Sequence, residues 1–445
     1  MKMLKQTFPL SLIIGLRFFG LFVVLPVLSV YALQMDDATP VLAGAVVGSY
    51  AFTQMIFQVP FGAMSDKIGR KKTLFIGLLI FIIGSIICAL SEHIYMLILG
   101  RFLQGAGAIG AVVSAMISDL VKEEQRSHAM AIMGGVIALS FSTAMIIAPL
   151  IGGHYGIDKL FWLTALLALG AIVILFTMVP EAPKIIHSYD NIKVKTRDVF
   201  QDKSLVQMYI TFLFHSSIMT MAFFIIPIVM THGIKEDGFG WSRPELWKVY
   251  VPAVIFGILA MGPAAVFGEK YAKGKLVFIV SIVSILLGFM AMGFSHNALI
   301  FIVGVVLFFV GFNMFEPLLQ SYVSKFARVH QKGAALGVAN TFSYAGIFSG
   351  GLLAGWIMQH FNREVLALFV IVLCLVWLFW TIRMNDPHAR ANAYFSLDAF
   401  GREKIMQLNN NPAIFEVYIN ENEKMGVVKY EKELIDEAGV KALLS

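Results

Sequence analysis

The sequence predicts an all-α polytopic membrane protein: twelve transmembrane helices arranged as two pseudo-symmetric six-helix bundles, followed by a small C-terminal α+β module. Three observations carry this prediction. Of the 445 residues, 58% are hydrophobic and only 14% charged, whereas a soluble chain of this size carries about 25% charge. The apolar residues fall in runs long enough to cross a bilayer as helices. The cations gather in alternate loops, and the longest polar connection divides the runs six and six.

Taken in order, the predicted spans lie near 8–33, 41–63, 72–91, 94–119, 128–153, 160–179, 205–231, 248–268, 275–294, 297–323, 333–358 and 364–383. The first run follows Met1-Lys2-Met3-Leu4-Lys5 and continues to about Leu33, too long for the core of a cleavable signal. Even-numbered loops hold the cations: Lys67, Arg70, Lys71 and Lys72; Lys122 and Arg126; Lys184, Lys193, Lys195, Arg197 and Lys203; Lys270, Lys273 and Lys275; Lys325, Arg328 and Lys332. The first odd loop, Gln34 to Ala38, is acidic, and the fifth has only Lys159. Both termini are therefore expected in the cytoplasm. Lys235, Arg243 and Lys248, after span seven, run against this pattern.

The segment Gly62 to Lys72 is a charged knot between two apolar runs. So short a connection makes spans two and three antiparallel neighbours. Gly62 would let a neighbouring helix approach the end of span two, and Gly69 supplies the freedom of a tight turn. Asp66 and Arg70 offer opposite charges at the membrane surface. A stop-transfer turn with orienting lysines would show the same cations.

Its pattern, Gly62, then Asp66-Lys67, Gly69 and Arg70-Lys71, resembles the loop 2–3 signature of the major facilitator superfamily of secondary transporters. In that family the loop arginine meets an acid at the end of span four, which here is Asp119. The resemblance implies a gating set of Gly62, Asp66, Gly69, Arg70 and Asp119. The cluster is expected to form when the cytoplasmic ends are closed together and to break as they part. A solvated surface ion pair is the alternative.

The connection 180–204 is polar and bounded by proline, as a linker is. It separates an N-terminal bundle (1–179) from a C-terminal one (205–390), ahead of the module at 391–445. The halves echo each other: Phe61-Gly62 matches Phe267-Gly268, and Gly100 and Gly107 match Gly304 and Gly311. Such repetition suits a substrate path between two bundles, although a tandem duplication without transport would show it too. The echo breaks where Arg101 is matched by Val305.

Charges inside spans cost about 2.5–3.5 kcal/mol at mid-membrane, so each is a functional candidate. Arg17, Arg101, His215 and Glu316 are the four. Glu316 has no cation nearby in sequence and can take and release a proton as its access alternates. His215 titrates near neutrality and can share that task, or it is a satisfied core histidine. Arg101-Phe102-Leu103-Gln104-Gly105-Ala106-Gly107 matches the span-four signature of the same superfamily. Gly105 and Gly107 thin the helix for close packing, and the resemblance associates Arg101 with proton coupling; a fixed arginine tying helices together is the other reading. In span five, Ala144 to Gly153 resembles the family's antiporter motif, with Pro149, Gly152 and Gly153 kept and alanine at both leading glycines.

The tail reads strand (394–398), helix (402–409), strand (414–420), strand (427–430), helix (431–444). Phe415, Val417 and Ile419 alternate with polar residues, as a half-covered sheet requires. It resembles a ferredoxin-like module and holds no Cys or His, which argues against a heavy-metal role. At about fifty residues it is small for an independent core, so docking on the bundle or pairing with a second copy is expected.

Cys88 and Cys374 lie in apolar runs of different halves, which offers no disulfide framework or metal site. The net charge of +6 sits in loops of one side and is no nucleic-acid footprint. There is no phosphate-binding glycine loop and no nucleophile–base pair, so the chain is not expected to be an enzyme. No cofactor is implied; the energy source is a proton gradient or the substrate's own.

Leu16 to Leu28, the charged knot, Gly100 to Gly107, Ile117 to Leu120, Trp247 to Tyr250 and the tail together resemble the YajR-type drug or sugar efflux transporters of bacteria. The resemblance runs over nearly the whole chain. It implies a bacterial inner-membrane protein whose partners are a small-molecule substrate and the lipid bilayer, and whose tail is regulatory. The expected activity is proton-coupled export by alternating access. A uniporter or symporter of the same fold, and a membrane sensor signalling through the tail, are the alternatives.

Overall fold

The computed structural model describes residues 2–121, 123–181, 199–233, 238–328, 331–384, 390–420, 424–432 and 434–444. Lys122, the body of the linker with Lys184, Lys193, Lys195 and Arg197, and Lys235 lie outside the described residues.

Among the described residues, twelve helices are long and apolar enough to cross a membrane: Thr7–Ala32, Pro40–Ile68, Arg70–Ala89, Ile94–Leu120, His128–Tyr155, Ile157–Thr177, Lys203–Thr231, Arg243–Lys270, Gly274–Phe294, Ala298–Phe326, Lys332–His360 and Arg363–Ile382. They are referred to in order as spans one to twelve. Two are interrupted. Span one breaks between Phe22 and Leu25, just ahead of Pro26, whose missing donor removes a helical hydrogen bond. Span four breaks between Ala106 and Gly110, with Gly107 closing its first part.

The charged knot is tighter than the sequence suggests. Span two stays helical to Ile68, span three starts at Arg70, and Gly69 alone makes the turn at φ 99°. That φ is open to glycine and strained for other residues. Asp66 therefore stands on the last turn of one helix and Arg70 on the first turn of the next.

Repeated glycine contacts build the two halves alike. Gly84 packs on Gly100 and Gly77 on Gly107 where spans three and four meet. In the second half Gly288 packs on Gly304, and Ser281 on Gly311, where spans nine and ten meet. A Cβ at any of these glycines would come within 3 Å of its neighbour, so small residues set the interhelical distance.

Between the halves, spans two and eleven run antiparallel. They touch backbone to backbone at Gly44–Gly351, Gly48–Phe348 and Pro40–Gly355, toward the end remote from the N terminus, here called the distal end. Further along the same register, Gly62 on span two and Gly333 and Gly337 on span eleven have nothing within 4 Å of a Cβ position. Spans five and eight behave the same way: Gly153 abuts Pro244 at the distal end, while Gly135 and Gly262 face open space. Thus the halves are closed together distally and diverge toward the end that carries the N terminus and the tail. Span seven records the same asymmetry, since every residue from His215 to Met230 is buried whereas its first three turns are only partly so.

The tail is a three-stranded antiparallel sheet of order β1-β3-β2, from Arg390–Ser396, Ile414–Asn420 and Met425–Glu431. A helix links β1 to β2 and a short helix, Glu437–Ala442, follows β3. This is the split βαβ order of ferredoxin-like modules. One detail departs from the sequence reading. The register slips between Ile414 and Glu416, so the bulge puts Phe415 outside the small core that holds Ile414 and Ile419. The last helix is also shorter than predicted, beginning at Glu437 after Asp436, whose carboxylate accepts from the Gly439 amide. β3 meets the bundle: Lys429, only 2% exposed, donates to the Ala327 carbonyl at 2.5 Å, at the C-terminal end of span ten.

Candidate functional site

Glu316 lies in span ten, one turn after Phe312 and just before Pro317. Phe312 reaches across the divide to Phe141 of span five, ring centroids 6.1 Å apart. Residues four apart share a helix face, so Glu316 also points at the opposite half. Its side chain is exposed although it lies well inside the span. Both facts fit a carboxyl lining the space between the diverging halves. Among the described residues nothing pairs with it.

His215 of span seven lies beside this face. It stacks on Phe312 at 4.3 Å and 7°, and its Nε2 sits 3.2 Å from the Phe312 carbonyl. A carbonyl only accepts, so Nε2 carries the hydrogen. Phe315 and Trp377 complete an aromatic box around the imidazole. Among the described residues no ion pair joins His215 and Glu316; His215 reaches span ten through Phe312 and Phe315.

The two arginines sit in the other half. Arg101 is fully buried; its Nε donates to the Val46 carbonyl at 3.3 Å, its Nη1 to Gln104 Oε1 at 2.8 Å, and its guanidinium lies 4.6 Å from the Tyr50 ring centroid. Gln104 passes the chain on to Ser85 of span three at 2.9 Å. Arg17, equally buried, donates through Nη2 to Gln54 Oε1 at 3.1 Å and lies 5.3 Å from the Phe81 centroid. Gln54 in turn donates to the Tyr344 hydroxyl of span eleven at 2.7 Å. That bond joins the halves at the level where spans two and eleven begin to part. Gly105 is the contact that brings span four so near: a Cβ there would lie 1.8 Å from the Tyr50 carbonyl oxygen.

At the N-terminal end, Arg70 bridges two acids. Its Nε meets Asp119 at 3.0 Å, and its Nη1 meets Asp66 at 2.6 Å and the Ser65 hydroxyl at 2.5 Å. The cluster is formed although the halves are apart at this end, against the expectation that opening breaks it. The reason is positional: spans two, three and four all belong to one half, so the halves part without stretching it. Gly62 differs too, for no helix approaches it in this conformation.

At the distal end, Gly153 of the span-five motif admits the other half at Pro244, while Gly152 packs on Leu160 and Val27 of its own half. The Tyr31 hydroxyl of span one donates to the Gly152 carbonyl, and Arg243 lies 4.3 Å from the Tyr31 ring centroid. Lys248 pairs with Glu245 at 2.8 Å. Two of the cations that break the loop pattern are thus held by local partners.

Sequence reasoning missed Gln54, Tyr344 and a second cluster, in which Glu269 meets Ser321 at 2.6 Å and also Lys325. This cluster joins the turn after span eight to the end of span ten, as Arg70 and Asp119 join the turn after span two to span four, with the signs exchanged. Glu269, directly after the Phe267-Gly268 echo of the charged knot, was the available signal. Nothing in sequence links Gln54 with Tyr344, 290 positions apart.

The comparisons agree with this architecture. The profile described as Major Facilitator Superfamily matches residues 10–351 and 208–415. The Inner membrane transport protein YajR of Escherichia coli (strain K12) is 33% identical over 436 residues, 97% of this chain and 95% of that protein. The Quinolone resistance protein NorA of Staphylococcus aureus (strain Mu50) is 28% identical over 374 residues, 79% of this chain and 89% of NorA. Among solved structures, the nucleoside transporter NupG overlays with a TM-score of 0.67 at 15% identity, covering 86% of this chain and 99% of NupG, a likeness of fold. With twelve spans in two like halves that part toward one end, and near full-length similarity to YajR, the chain belongs to the major facilitator superfamily of membrane transporters, which are not enzymes.

Proposed function

We propose that this chain is a proton-coupled secondary transporter of a bacterial inner membrane that exports small organic molecules by alternating access. The observation that carries the proposal is Glu316: an unpaired carboxyl at mid-span, facing the gap between two halves that are closed on one side of it and apart on the other. Such a group changes the side from which it can exchange a proton when the halves rock. His215, stacked on Phe312 one turn before Glu316, is a second proton acceptor, and Arg101 and Arg17 set a positive field in the other half. The cation-rich loops favour cytoplasmic termini, and with that orientation the conformation is open inward. The Asp66–Arg70–Asp119 cluster, with Gly62 and Gly69, then braces the cytoplasmic end of the first half as a unit that moves whole. Export is favoured by the relatives named for drug resistance, NorA and the Multidrug resistance protein 2 of Bacillus subtilis, and the inner membrane by the name of YajR.

The test is substrate-induced pH change in proteoliposomes, with a panel of dyes, antibiotics and sugars, comparing wild type with Glu316→Gln. Proton movement triggered by a substrate and lost in the variant is the expected result, its direction giving the sense of coupling. Substrate flux with no proton signal in either protein would overturn coupling and leave a facilitator.

A further inference from the structure

The two buried arginines are more than a background field. Val46, Tyr50 and Gln54 follow one another at four-residue spacing on one face of span two, each about 6 Å beyond the last at 1.5 Å rise per residue. Arg101 is held at the first two of these and Arg17 at the third. Both side chains are 0% exposed, yet among the described residues neither lies within ion-pair distance of a carboxylate. Three guanidinium nitrogens, Arg17 Nε and Nη1 and Arg101 Nη2, have no hydrogen-bond partner among the described residues. Two unneutralised cations with unmet donors in a membrane interior are costly. A guanidinium pair suits a carboxylate, which takes several such donors at once.

We propose that Arg17 and Arg101 form an anion site in the first half that receives the carboxylate of an organic anion, so that the cargo class includes carboxylates; this rests on the transporter reading above. Gln54 is its cover. In the present conformation the Gln54 amide oxygen stands against Arg17 while its NH2 group is anchored by Tyr344 of the opposite half. Separation of the halves at that level releases the anchor, and Gln54 can turn its NH2 group to the incoming carboxylate. The site belongs to the first half and Glu316 to the second, so ligand and proton occupy different groups, and conformational change links them.

The experiment is equilibrium thermal unfolding of the purified full chain in detergent at low salt, with sodium benzoate, the neutral isostere benzamide, or sodium nitrate. Benzoate is expected to raise the midpoint, benzamide to leave it unchanged, and Arg17→Gln to abolish the benzoate shift. Gln54→Glu places a carboxylate beside Arg17; it is expected to raise the midpoint without ligand and to remove the response to benzoate. It serves where Arg17→Gln fails to fold. Nitrate acting as well as benzoate would support the site while assigning it to free small anions. Equal shifts from benzoate and benzamide, or a full benzoate response in either variant, would overturn it. No gradient or flux is involved, so failure here is separable from failure of proton coupling at Glu316.

Discussion

At the scale of single residues, glycine does two different jobs in this chain, and a methyl group tells them apart. Gly105 lies against the Tyr50 carbonyl, where a Cβ would come to 1.8 Å, whereas Gly62 faces open space. Gly105→Ala should therefore force spans two and four apart and cost about 1–3 kcal/mol, the usual range for overpacking. Gly62→Ala, within a helix, should be neutral or slightly stabilising. Thermal unfolding of both variants checks this, and equal effects would contradict the packing assignment. The sequence pattern picked out Arg17, Arg101, His215 and Glu316 because ionisable residues in apolar runs stand out. It was silent on what they touch, since Gln54 and Tyr344 are ordinary polar residues whose meaning lies in their pairing.

At the scale of elements, two charged joints and one docking contact hold helix ends. Arg70 ties three consecutive spans of one half, so its role is to make that half rigid. Asp119→Asn should weaken a charge-assisted hydrogen bond worth about 1.5–3 kcal/mol, seen as a lower unfolding midpoint. It should leave the separation of the halves unchanged, as measured between spin labels on spans two and eleven; a shift in that separation would restore the breaking-gate picture. The family resemblance made this cluster legible, but its independence from opening was not, because that depends on which helices belong to one rigid body. On the tail, the buried Lys429 ammonium caps the carbonyl end of span ten at Ala327, where the helix dipole favours a cation. Lys429→Met keeps the aliphatic stem and removes the charge. It should speed limited proteolysis of the tail from the bundle several-fold, and unchanged cleavage would show the contact to be incidental. The strands of the tail were visible in their alternation; the bulge that ejects Phe415 from its core was not, because alternation carries no information about an inserted residue.

At the scale of the whole molecule, the architecture followed from composition, run length and loop charge, all of which act independently of tertiary detail. The conformational state did not, because the same sequence must support both openings. It is read instead from register: spans two with eleven and five with eight touch at one end and part at the other. Glu316 lies on span ten within the second half, and its charge is proposed to decide which end opens. The most direct measurement is a pulsed-EPR distance between labels at Gly62 and Gly333, with no substrate, across a pH range in wild type and in Glu316→Gln. Glutamine mimics the protonated carboxyl, so wild type should shift its distance distribution as pH rises through the titration of Glu316. The variant should keep the low-pH distribution throughout. The same pH-dependent shift in both proteins would contradict the assignment of Glu316 as the coupling group.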